Sequence, residues 1–174
     1  HVESNTGYFS SYEIQVILSM LRILDNPLQD IPMAAVLASP IVGMDDEELA
    51  QIRSAFKGVS FAQAALSAMA GENGYEDEKL KAFALVFERL RGAVADTPIH
   101  ELLYMMLDET GFYRYASAMP AGKRRRQNID MLIEMAAAYE KTSYKGLFHF
   151  VRYIDISVTD RKITFHGKSV VIFR

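Results

Sequence analysis

The sequence contains no cysteine. Disulfides, thiolate nucleophiles and cysteine-ligated zinc are excluded together, and a reducing compartment, the cytoplasm, is the expected setting. Nor is there an apolar run near the roughly 18 residues that a membrane span needs. The longest candidate, Ile14 to Leu24, is broken by Gln15, Ser19 and Arg22. Phosphate-cradling loops of the GxxxxGK(S/T) and GxGxxG forms are missing, so nucleotide binding has no motif. No GxSxG setting for a nucleophile occurs. The four histidines, His1, His100, His149 and His166, are scattered without a ligand partner at helical spacing. Neither a catalytic residue nor a metal ligand is therefore assigned, and catalysis by this chain alone is not expected. The opening His1-Val2 carries no Met and no basic-then-apolar leader pattern, and reads as the start of a piece of something longer.

What is present suffices for one domain. The chain has 174 residues, half of them hydrophobic, enough to build a core without metal or disulfide support. A net charge of −3 argues against a protein that coats nucleic acid over its whole surface, and leaves room for a local basic patch.

Hydrophobic spacing points to helices almost throughout. Ser10 with Glu13 forms a capping-box pattern for a helix to Asp25, with Ile14, Ile17, Met20, Leu21 and Leu24 on one face. Asp30 caps a short helix with Pro32 in its first turn, ending at Ser39-Pro40, and Gly43 turns the chain. The acidic run Asp45 to Glu48 suits the positive end of a helix dipole better than a cation site. Ser60 caps an alanine-rich helix to about Ala70, and Asp77 to Ala95 forms the longest one. Pro98 opens a helix that Gly111 closes, a short aromatic segment runs to Met119, and Asn128 to Lys141 is helical again. Ser143 starts a last helix. After Asp155 the texture turns β-branched and aromatic, and residues 156–174 read as a small hairpin turning at His166-Gly167. The expected architecture is mostly α: a multi-helix body over 1–155 and a short β-hairpin tail over 156–174.

Two features invite a binding role. Tyr104, Phe112, Tyr113 and Tyr115 either pack at a helix junction, which is the expectation, or stack on bases. Met20, Met105, Met106, Met131 and Met135 are expected to fill the core. Lys123-Arg124-Arg125-Arg126 follows Pro120 at a helix start, where cations oppose the dipole by about a few tenths of a kcal/mol each. Lys123, Arg124 and Arg125 are the candidate nucleic-acid contacts; a solvated, salt-bridged loop is the alternative.

Longer motifs carry a resemblance. Thr6-Gly7-Tyr8-Phe9, Leu21 to Pro32, Leu37 to Gly43, Glu109 to Tyr113, Pro120 to Lys123 with Arg126-Gln127-Asn128, and Thr142 to Phe148 resemble the ATP-dependent helicase/nuclease AddA family (also RexA) of UvrD-like superfamily-one helicases. Over roughly residues 2–155, the resemblance implies the largely helical 2B subdomain. It implies a parent chain that unwinds double-stranded DNA with ATP and Mg, bears a distant nuclease domain, and works in recombinational repair with a partner helicase/nuclease subunit (AddB/RexB). This piece would carry no cofactor of its own. UvrD-type relatives have a basic residue before a Gly-Ile-Gly turn; the matching Val42-Gly43-Met44-Asp45 has none. The tail Thr164-Phe165-His166-Gly167-Lys168 is either a shortened relic of a family motif or a foreign segment. Duplex handling is the leading expectation for the chain. A helical scaffold that docks the partner subunit without touching DNA is the rival.

The chain alone should hydrolyse no ATP; DNA-stimulated hydrolysis in a clean preparation would overturn that expectation.

Overall fold

The structure is a computed structural model describing residues 5–142 and 146–163. Among them lie ten α-helices, one 3-10 turn and no strand. In chain order the helices are α1 (Asn5–Phe9), α2 (Tyr12–Asp25), α3 (Asp30–Ala38), α4 (Asp46–Ala55) and α5 (Phe61–Met69). They continue with α6 (Glu78–Ala93), α7 (Ile99–Thr110), α8 (Phe112–Ala118), α9 (Gly122–Thr142) and α10 (Gly146–Ile163).

The spacing suggested one apolar face on α2, yet ten of its fourteen residues are buried. A helix apolar on most sides belongs inside. Helix α2 is the axis of the domain, touched by α1, α3, α6, α9 and α10. Ile14, Ile17, Met20, Leu21 and Ile23 are fully enclosed, and each contributes on the order of 2 kcal/mol of burial. On one flank, α3, α4 and α5 pack together. The alanines Ala62, Ala64, Ala65 and Ala68 are buried there and let the backbones approach. On the other flank, α7, α8 and α9 form a second layer.

The caps show where local chemistry sets the ends. Asp45 and Glu48 build a reciprocal capping box at the start of α4, which explains the acidic run. Ser60 receives the Gln63 amide at α5, and Asp30 reaches across from α3 to receive the Ala62 amide at 2.9 Å. Asp30 therefore caps the neighbouring helix and not its own as expected: α3 has Gln29 at its N-cap position with no side-chain cap. The turn expected at Ser39 to Gly43 is present. Ser39 Oγ donates to Val36 O and accepts from the Ile41 amide, while Ser39 O accepts from the Val42 and Gly43 amides. Gly43 sits there at φ +77°.

Several expectations are corrected, beginning with the longest helix among the described residues, which is α9 and not the one over Asp77 to Ala95. The capping box at Ser10 and Glu13 does not form: Ser11 precedes α2, its hydroxyl donates back to Tyr8 O, and Glu13 turns inward. Helix α9 begins at Gly122 rather than Asn128, because Lys and Arg are good helix formers and a dipole penalty of tenths of a kcal/mol does not stop them. The expected hairpin tail is not supported, since α10 runs unbroken through residues 156–163. Ile154 is buried and Val158 packs on the core, and that burial offsets the small helix penalty of β-branched residues. Residues 164–174, including the His166-Gly167 turn, lie outside the described residues.

At the α8–α9 junction Ala121 takes φ +60°, and Gly122 lies so close to α8 that a Cβ there would sit 1.9 Å from Ser117 O. Backbone cannot yield as a flexible side chain can. Gly122→Ala should lower stability by about 1–3 kcal/mol or more in denaturant unfolding. Gly92→Ala, in open space on α6, should be neutral or stabilising by up to about 1 kcal/mol.

Candidate nucleic-acid interface

Position along α9 divides the basic cluster. Ile129, Leu132 and Ala136 are completely buried on α9. Counting back from them by four, seven and eleven residues reaches Arg125, which therefore continues the inward stripe. Its Nη1 donates to Glu13 Oε2 at 2.6 Å, and its Nε donates to Pro120 O at 2.9 Å. Glu13 is only 1% exposed and Arg125 23%. Asn128 Nδ2 completes the arrangement with a 2.6 Å bond to Glu13 Oε1, and Tyr8 donates its hydroxyl to Asn128 O at 2.9 Å.

The electrostatics follow from this geometry. Burial alone would push the Glu13 carboxyl up; the Asn128 amide, its own backbone amide and the Arg125 guanidinium outweigh that and hold it below its ordinary value. The Tyr8 phenol is pushed up, by burial first and then by the Glu13 charge. Arg125 is thus a structural cation. Asn128 is a structural residue too.

Lys123, Arg124 and Arg126 are exposed on the first turns of α9. Arg124, Gln127 and Met131 share a helix face that lines a groove of about 700 Å³ running along α9. Tyr8, Ser11 and Tyr12 form its opposite wall. Glu13, Arg125 and Asn128 line the same groove, so the ion-paired Arg125 borders it alongside the exposed Arg124. Among the aromatics, Phe112 is buried at 1% exposure, as the packing reading expects. Tyr104 and Tyr115 are not, at 58% and 47%. Met20 and Met106 fill the core, whereas Met131 is 46% exposed beside the groove. Among the described residues no cluster of three metal-ligating side chains occurs.

At the far end of α9, Glu140 receives the Ile99 and His100 amides at the start of α7, and its second oxygen meets His100 Nδ1 at 2.5 Å. This closes the N-terminus of α7 with a side chain from forty residues away, a cap that local spacing does not reveal.

Glu13 is the residue that sequence reasoning misplaced. Its signal was available: it lies four, seven and eleven positions before Ile17, Met20 and Leu24, a charge on an apolar stripe. Its partner, 112 residues away, was not legible.

The chain is 43% identical over 157 residues to the A-subunit of the ATP-dependent helicase/nuclease of Anoxybacillus flavithermus, an alignment covering 89% of this chain. The protein of the same name from Bacillus cytotoxicus is 41% identical over 159 residues, and that from Bacillus mycoides 40% over 154. The chain is homologous to one segment of this helicase/nuclease A-subunit. It spans 13% of the length of the first two relatives and 12% of the third. No family model matches. Among the described residues no helix is long and apolar enough to cross a membrane.

The pair between Arg125 and Glu13 gives a pH-dependent expectation. Glu13 has a lowered folded-state value, so its contribution is complete above the ordinary carboxyl value near 4.5 and is lost as pH falls through the lower folded value. Arg125→Ala strands a buried carboxylate and should cost about 3 kcal/mol near neutral pH. Near pH 3 the loss should shrink, because Glu13 is then largely protonated in the variant. Unfolding curves at both pH values measure the difference.

Proposed function

We propose that this chain is the 2B-type accessory subdomain of an ATP-dependent DNA helicase/nuclease, and that the start of α9 contacts the phosphate backbone of the duplex. The observation that carries this reading is the exposure of Lys123 and Arg124 at the start of α9, Arg124 on the wall of its groove, in a chain whose net charge is negative. These two charges oppose the helix dipole and stand outward, in addition to the one that pairs with buried Glu13. Homology to the helicase/nuclease A-subunit supports DNA as the polyanion. ATP and Mg belong to the parent's motor, outside this segment. A partner of the AddB/RexB kind and a cytoplasmic role in recombinational DNA repair complete the proposal.

A second reading, docking of the partner subunit without DNA contact, is favoured by the outer face of α10. Phe148 and Ile156 lie eight residues apart and are half exposed, with Arg152 over the Phe148 ring at 5.8 Å between them. Salt separates the two readings, because phosphate contacts weaken steeply with ionic strength and an apolar face does not.

Lys123→Ala with Arg124→Ala, in the complete parent protein on forked DNA, should leave folding intact. The slope of log affinity against log salt should become shallower by about two, one for each lost phosphate contact. Unchanged affinity and slope would favour the docking reading.

A further inference from the structure

The side of α9 away from the groove carries a second recess, of about 310 Å³, between α7, α8 and α9. Its apolar lining comes from Leu107 and Ile133, each nearly enclosed by the core. Tyr104 and Tyr113 also line it, and Asp108, Asp130 and Arg114 supply its polar groups. Tyr104 is more than half exposed, so core packing does not account for that ring. Tyr113 donates its hydroxyl to Asp130 at 3.1 Å, which holds one carboxylate in place while leaving it further lone pairs.

From these features we infer that the recess receives a single unstacked nucleobase of a DNA strand that runs along α9. The volume is near the lower end for small-ligand pockets, suited to one base and not to a base pair. Aromatic rings offer π surface to any base, and carboxylates accept from exocyclic amines such as cytosine N4. A guanidinium or ammonium from a protein partner would match the two carboxylates equally well. Against it stand Arg114, which also lines the recess, and Arg126, which lies one and two turns before Asp130 and Ile133 on the same face of α9. These cations repel a basic side chain and attract the phosphates flanking a base. Helical geometry puts Arg124 and Arg126 about 100° to either side of Arg125, so one cluster serves both the groove and the recess. The inference rests on the backbone-contact reading above, and adds that the strand is locally single-stranded.

The test compares binding of the 174-residue chain to short oligodeoxycytidylate and to an abasic deoxyribose-phosphate strand of equal length. The base-bearing strand should bind about tenfold or more tightly, the gain expected of one stacked base. Tyr104→Ala should abolish that difference without changing the salt slope, and Tyr104→Phe should retain it. Lys123→Ala with Arg124→Ala should weaken both strands alike and flatten the slope, leaving their ratio intact. Equal affinity of the unaltered chain for the two strands, or an unaffected ratio in Tyr104→Ala, overturns the base recess while the backbone reading stands. A preserved ratio with no response to the Lys123 and Arg124 changes supports the recess and removes the backbone contacts. Binding to neither strand overturns both. Loss of oligoarginine binding in Tyr104→Ala, with oligodeoxycytidylate unaffected, assigns the recess to a protein partner and overturns the proposal.

Discussion

A carboxylate buried to 1% exposure constrains more of this domain than any other group. Removing Glu13 from water costs several kcal/mol unless hydrogen-bonding and opposite charge replace the lost hydration. Arg125 and Asn128 supply both, so the start of α9 must cross the N-terminal end of α2. That demand propagates. Helix α9 must begin early enough to present Arg125, Ala121 must adopt a left-handed conformation to reverse the chain, and Gly122 must lack a side chain so that α8 can approach. Replacing a whole arrangement of this kind by apolar residues is often neutral in free energy, whereas removing one partner is not.

The same constraint shapes the surface. Because Arg125 points inward, its neighbours diverge around the helix and are left at the solvent boundary. A run of four cations thus becomes one structural residue and three that face outward. The ridge of α9 separates a polar groove on the α2 side from a smaller aromatic recess on the α7 and α8 side. Under the proposals above, exposed cations on this ridge would meet the phosphates while the recess holds a base beside them.

Most helices were legible because their signals are local. Asp77 and Ser60 cap where hydroxyl or carboxylate oxygens reach amides three residues on, and Gly111 ends α7 with φ +65°. The misreadings share a cause. Ser10 with Glu13 satisfied a capping pattern, yet the carboxylate had a stronger use at long range. The β-branched run after Asp155 satisfied a strand pattern, yet Ile154 and Val158 gain more by extending α10 along the core than their intrinsic preference costs.

The sequence by itself determined the helical class, the positions of most helix ends, the Ser39 to Gly43 turn and the existence of a basic cluster. Each depends on residues within a few positions of one another. Only the tertiary structure decided which cation is structural, that α2 is a central axis rather than an amphipathic surface helix, and that Tyr104 is exposed while Phe112 is buried. Those outcomes depend on partners far apart in the chain, such as Glu13 and Arg125 or His100 and Glu140. The free energy that selects them comes from desolvation and packing of surfaces that meet only once the chain has closed on itself.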